Sequence, residues 1–187
     1  MKKLVAGFLV MFLFVSASAA LAADVALTSV GQSPDAVMVR VVMKKLKVEA
    51  DYDALMKPEA LGSQKVLVAV VGGSSKGLGA AGINADQEKA RAVTLLEAAK
   101  KKGMKILVMH VGGEGRRGTL TDLFINAAVP FGERLILVKG GNNDGLFNKL
   151  AKKGAPITEV ATVAAVQAPL EQALKDNHMS YDVNPGD

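Results

Sequence analysis

The sequence predicts a single three-layer α/β domain built on a mostly parallel sheet of five or six strands. Two observations lead to this fold class. Continuous apolar, β-branched runs such as 65–71 and 105–109 are typical of strands buried on both faces. Segments with helix-start signals alternate with these runs, which is the order of a parallel sheet covered by helices on both sides.

Each element has its own local signal. Ser33 and Pro34 open the first helix, and its stretch 36–43 is apolar except for Arg40, so we expect that helix to be buried on most sides. Asn84 and Gln87 form a capping box at the start of a later helix. The predicted strands cover residues 25–30, 48–52, 65–71, 105–109, 134–138 and 156–160. The predicted helices cover residues 34–45, 84–103, 119–130, 144–152 and 169–175, with a helical turn at 58–61.

The alternation of strands and helices also predicts a topology. Parallel strands joined by helices favour right-handed crossovers. We expect a flavodoxin-like or Rossmann-like sheet in the order 2-1-3-4-5, with the last strand of the chain at the edge.

The first 22 residues have the layout of a secretory signal peptide. Lys2 and Lys3 precede an apolar run over 4–15, and small residues then end in Ala20-Leu21-Ala22. The alternative, a transmembrane anchor, needs a run of about 20 apolar residues, and this one is shorter. We therefore expect cleavage after Ala22, a periplasmic or secreted protein without a stable membrane anchor, an α/β domain over 23–175 and a polar, flexible tail over 176–187.

Composition excludes several kinds of site. The chain has no cysteine and two histidines, so neither disulfides nor a metal centre are predicted. Its net charge is +5, but aromatic residues make up 4% of the chain and do not alternate with basic residues, so we expect no nucleic-acid partner. No cofactor is predicted.

Glycine-rich and polar loops follow four of the predicted strands, over 31–33, 72–82, 110–118 and 139–145. The carboxyl ends of parallel strands meet at one rim of the sheet, where open α/β sheets bind ligands. Loop amides and cationic side chains at such a rim favour an anion, a carboxylate or a phosphate. The candidate ligand-binding residues are Gln32, Ser33, Gly73, Ser74, Ser75, Lys76, Gly77, Gly79, His110, Gly112, Gly113, Arg116, Arg117, Asn143 and Asp144.

Three cations are expected to carry most of the binding. Lys76 lies within a glycine-rich segment, and Arg116 and Arg117 lie between Gly115 and Gly118, so no regular element explains these charges as a solvated face. We expect each arginine to contribute to affinity, with little effect on folding when it is removed.

Two known glycine motifs are alternative interpretations of these residues. Gly73, Gly77 and Gly79 have the spacing of the short-chain dehydrogenase glycine motif, but here the motif does not follow the first strand of the chain. The Tyr-x-x-x-Lys pair of that family is missing, since Met56 and Pro185 stand four residues after the two tyrosines. A Walker motif is excluded because Leu78 follows Gly77.

Hydrolase chemistry is the other catalytic alternative. The chain has no Gly-x-Ser-x-Gly turn, but Ser75, His110 and Asp144 could form a nucleophile, base and acid. A histidine at a strand end is more often structural, so the sequence leaves catalysis undecided.

The complete set of loops resembles one family. Segments 29–33, 72–82, 110–118 and 141–147 are similar to those of an exported bacterial family catalogued as a domain of unknown function. The resemblance implies an exported protein and brings no activity with it. Our leading hypothesis is a module that binds a small anionic solute. The alternatives are an enzyme acting on such a solute and a module that contacts another envelope protein.

Overall fold

The structure, a computed structural model that describes residues 24–176, is an α/β domain with one sheet of six parallel strands in the order β2-β1-β3-β4-β5-β6. The strands are β1 (Val25–Val30), β2 (Ala50–Tyr52), β3 (Val66–Val71), β4 (Lys105–His110), β5 (Arg134–Val138) and β6 (Ile157–Val160). The helices are α1 (Asp35–Lys45), α2 (Ser75–Ala80), α3 (Ala85–Lys101), α4 (Thr119–Ala128), α5 (Leu146–Leu150) and α6 (Gln167–Lys175). The predicted class, the strand order and the edge position of the last strand are confirmed.

The sheet separates two hydrophobic cores because successive side chains of a strand point to opposite faces. On one face, Leu27 and Val68 pack in a cluster with α1 and α6. On the other face, Leu67 and Val108 pack in a cluster with α3, α4 and α5. β1 and β3 are buried along their whole length, which explains their continuous apolar sequences.

Helix α1 departs from its expected burial. Val39 and Met43 are fully buried against the sheet, but Val37, Met38 and Val41 are 45–50% exposed. The prediction that this helix is buried on most sides is therefore wrong. An apolar segment at helical spacing covers the sheet with one stripe only, and in this protein nothing within residues 24–176 covers the opposite stripe.

The glycine-rich segment after β3 contains a helix where the sequence predicts a loop. Residues Ser75–Ala80 form the short helix α2. Ser74 caps this helix by accepting a hydrogen bond from the amide of Gly77 at 3.0 Å. Lys76 consequently lies on the exposed side of a helical turn.

Both edges of the sheet are short strands. β2 has three residues and β6 has four. Each carries an exposed carboxylate residue, Asp51 in β2 and Glu159 in β6. Between residues 24 and 176, no helix has the length and hydropathy needed to cross a bilayer. The predicted signal peptide over 1–22 and nearly all of the predicted tail over 176–187 lie outside the described residues.

Candidate functional site

The strand order reverses between β1 and β3, which is the usual position of a ligand crevice in an open α/β sheet. In this protein backbone hydrogen bonds close that position. The amide of Ser33 donates to Gly72 O at 3.1 Å, and the amide of Ser74 donates to Gly31 O at 2.9 Å. Gln32 and Gly73 form an isolated antiparallel bridge between the same two loops.

Close contact between these loops explains one of the candidate glycines, Gly77. A Cβ on Gly77 would collide with the carbonyl oxygen of Gln32. Gln32 itself has a φ of 60°, a left-handed conformation that non-glycine residues adopt infrequently. Its side chain donates to Ala54 O and to Glu88, so it holds its own loop in place. Gln32 and Gly77 therefore serve loop packing.

An ion pair that we did not predict from the sequence holds the loop after β1. Glu88 is fully buried and Arg91 pairs with it at 2.7 Å. Glu88 also accepts a hydrogen bond from the amide of Gly31 at 2.9 Å, and Arg91 donates to Ser29 O at 2.6 Å. The only available signal was a carboxylate and an arginine three residues apart near the start of α3, and that spacing is common on exposed helices.

His110 is fully buried at the end of β4. Its Nδ1 lies 2.9 Å from Val71 O and its Nε2 lies 3.1 Å from Gly113 O. Both ring nitrogens thus contact backbone carbonyl oxygens, and neither contacts Ser75 or Asp144. The structure does not assemble the hydrolase set that the sequence left open.

Arg117 is bound within the protein. Its side chain is 13% exposed and forms ion pairs of 2.8 Å with both Asp122 and Asp144. It also donates a hydrogen bond to the carbonyl of Gly141. The hydrogen bonds that Arg117 donates to Asp144, and then those to Asp122, raise the pKa of Arg117, and the Arg117 guanidinium holds the pKa of Asp144 well below its ordinary value. This network ties the loop after β4 to the loop after β5.

A shallow depression of about 290 Å³ lies at the rim beside this network. It is lined by Gly73, Gly115, Arg116, Arg117, Gly118, Thr119, Leu120 and Thr121. The residues from Thr119 to Thr121 form the first turn of α4, whose N-cap, Gly118, provides no side-chain hydrogen bond. The first amides of a helix have no partner inside the helix, so this turn offers free donors and a partial positive charge.

Gly73 keeps that helix start open. A Cβ at this position would lie 2.8 Å from the amide nitrogen of Thr121. The amide of Gly73 donates to the hydroxyl of Thr121 at 2.9 Å, which fixes α4 against the loop after β3. Gly73 is thus a candidate residue that the sequence placed at the rim and that lines the depression there.

Arg116 is the cation of the depression that remains partly exposed, at 37% of its side chain. One ion pair holds it, with Nη2 3.4 Å from Oδ1 of Asp35. Within residues 24–176 its side chain makes no hydrogen bond. Its guanidinium is therefore available to an incoming anion in a way that the guanidinium of Arg117 is not.

The remaining candidates fall outside the depression. Ser33 is buried, and Ser74 caps α2. Gly112 and Gly113 directly precede the turn Glu114–Arg116 that contains Arg116. The exposed candidates that do not line the depression are Ser75, Lys76, Gly79, Asn143 and Asp144.

A larger depression, of about 730 Å³, lies at the opposite end of the sheet, between residues 62–65 and 102–105. Two of its lysines are already paired, Lys65 with Asp24 and Lys105 with Glu133. It also borders the carboxyl end of α3, whose partial negative charge disfavours an anion. We therefore prefer the smaller depression as the candidate site.

The fold and the rim define the class of this protein as a parallel-sheet α/β domain with a cationic depression at the carboxyl ends of its strands. A family model described as "Domain of unknown function (DUF6305)" matches residues 22–174, and the chain belongs to that family. The resemblance to a family of unknown function is thus confirmed. Comparison with curated proteins gave no match, and comparison with solved structures gave none.

Proposed function

We propose that this protein binds a small anionic solute, a carboxylate or a phosphate, in the depression between Gly73 and the start of α4. The observation that carries the proposal is the partly exposed, weakly held guanidinium of Arg116 beside the uncapped N-terminus of that helix. An arginine can bind a carboxylate or phosphate with two hydrogen bonds, and a helix start adds amide donors.

The arrangement favours binding over catalysis. His110 is occupied by two carbonyl oxygens, and Asp144 is paired with Arg117. The described rim therefore presents no nucleophile with an adjacent base. We further propose that the protein works in the periplasm or after secretion, as its amino-terminal sequence predicts.

The test is a thermal-shift and titration screen with inorganic phosphate, acetate, succinate and citrate. An anion present at 100 times its dissociation constant should stabilise the fold by about 2.7 kcal/mol. Arg116→Ala should weaken binding by about 1.5–3 kcal/mol, or roughly 10- to 150-fold. Lys101→Ala, at the exposed end of α3, is the matched control and should bind like the wild type.

Two results would contradict the proposal. One is a screen in which no anion shifts the midpoint while an envelope protein co-purifies with the chain, which would favour an interaction module. The other is turnover of a bound compound, which would favour the enzyme alternative.

A further inference from the structure

The carboxylate of Asp35 has an unpaired oxygen in the protein interior. Its side chain is 2% exposed, and Oδ1 faces Arg116 at 3.4 Å. Within residues 24–176, Oδ2 is the one buried side-chain oxygen or nitrogen that has no hydrogen-bond partner. Buried polar atoms are nearly always paired, so this exception calls for a physical explanation.

Two glycines leave room for this carboxylate beneath the rim. A Cβ on Gly72 would lie 2.9 Å from Asp35 Oδ2, and a Cβ on Gly112 would lie 3.1 Å from it. The Cβ on Gly112 would also collide with the side chain of Arg116. Asp35 Oδ2 and the aliphatic stem of Arg116, the residue that borders the proposed anion site, therefore both lie on the side of Gly112 where a Cβ is missing.

Arg116 leaves the charge of Asp35 incompletely satisfied. The pair makes no hydrogen bond, and Arg116 belongs to a short turn, Glu114–Arg116, preceded by Gly112 and Gly113. A ligand anion that draws the guanidinium toward the start of α4 would take away the one positive charge that faces the Asp35 carboxylate. A cationic donor on the same ligand would then provide the missing hydrogen bond and replace the lost charge.

We infer that the solute is a zwitterion that joins an ammonium group to a carboxylate or phosphate, and that Asp35 receives the ammonium. This inference rests on the proposed function, because Arg116 and the amides of α4 hold the anionic end. An ammonium group has three donors and no acceptor, which suits an unpaired carboxylate oxygen. An ammonium group would also keep the buried carboxylate paired with a positive charge when Arg116 turns to the anion, and a buried charge that loses its partner is costly.

The test compares pairs of probes that differ by one amino group: glycine with acetate, β-alanine with propionate, and 2-aminoethyl phosphate with ethyl phosphate. Binding is followed by calorimetry and by amide chemical shifts. The amino member of at least one pair should bind about tenfold tighter or more, the effect of one hydrogen bond to a charged group. Asp35→Asn, which fits the same space, should remove this preference. Asp86→Asn, an exposed acid in the first turn of α3, is the matched control and should keep it.

The outcomes separate the two proposals. If acetate, propionate and ethyl phosphate bind as tightly as their amino partners, the zwitterion inference is wrong and anion binding stands. If no probe of any pair binds, both proposals are wrong. The comparison in the wild-type protein needs no variant, so it remains decisive even if Asp35→Asn does not fold.

Discussion

Arg117 fills the space between two loops with a guanidinium that donates to Asp122, Asp144 and Gly141. Three acceptors in one planar fork fix the side chain in a single orientation. The side chain of its sequence neighbour, Arg116, has one ion pair and no hydrogen bond within the described residues. The two arginines therefore differ in what they contribute to the molecule.

This difference predicts effects of different size for two substitutions on stability. Arg117→Ala leaves the carbonyl of Gly141 and two carboxylates without a donor, and should lower the free energy of unfolding by about 1.5–3 kcal/mol. Arg116→Ala removes a partly exposed ion pair and should cost no more than about 1 kcal/mol. Urea unfolding of the two variants checks this. A loss of about 1 kcal/mol or less for Arg117→Ala would mean that Arg117 is not a structural brace.

The same network predicts a pH dependence. Hydrogen bonds from Arg117 and from the amide of Leu146 lower the pKa of Asp144 in the folded protein. A carboxylate with a lowered folded-state pKa stabilises the fold above its unfolded pKa of about 3.9, and this contribution disappears as the pH falls toward the folded value. The exposure of Asp144 and screening by salt keep the effect small.

Acid titration of the wild type and of Asp144→Asn should detect the stabilisation that ionised Asp144 provides. The wild-type protein should lose more stability than the variant between about pH 5 and pH 2, and the difference should shrink in high salt. Parallel curves at low salt would show that the pair contributes nothing to stability.

At the scale of elements, α2 contains two glycines with opposite roles. A Cβ on Gly77 would meet the carbonyl oxygen of Gln32, whereas a Cβ on Gly79 would have nothing within 4 Å. Gly77 is needed because two loops touch at that point. Gly79 has no such neighbour and only weakens the helix.

These two positions give a matched pair of substitutions. Gly77→Ala should destabilise the protein by about 1–3 kcal/mol, because the loop containing Gln32 must move. Gly79→Ala should stabilise it by roughly 0.4–1 kcal/mol, since alanine favours the helix and restricts the unfolded chain. Thermal and urea midpoints measure both effects. A neutral Gly77→Ala would indicate that the two loops are further apart in solution.

The elements also show which kinds of structure the sequence could predict. The strand over 134–138 and the capping box of α3 follow from neighbouring residues alone, and both have the predicted positions. α2 was missed because glycines normally disfavour helix, and contact with the loop after β1 was not visible in the local sequence. The exposed stripe of α1 was missed because composition does not reveal which faces of a helix are covered by other elements.

Some features of the candidate site could likewise be predicted from the sequence, and others could not. Strand alternation predicted that the loops would gather at one rim. It could not predict that Asp35, Gly72 and Gly112 meet there, because these residues are far apart in the chain and the contact depends on missing side chains. A helix-start aspartate has the same local signal whether it is exposed, as Asp86 is, or buried, as Asp35 is.

For the whole molecule, the sequence predicts a mature chain that starts at Ala23. Removal of the signal peptide would leave two residues before β1, which begins at Val25. Mass spectrometry of the protein after expression with export should show the loss of residues 1–22. Ala22→Phe, which places a large side chain at the predicted cleavage site, should leave the precursor uncut. Recovery of the intact wild-type chain in the membrane fraction would overturn the export prediction.

The short edges of the sheet have a consequence for behaviour at high concentration. An open sheet exposes unpaired backbone groups at its two margins, and long, flat margins are templates for aggregation. Here a neighbouring molecule would find three residues to pair with at β2 and four at β6. Asp51 and Glu159 would bring a negative charge into each such junction. We therefore expect the domain to resist growing into a continuous intermolecular ribbon, although its sheet has two open edges.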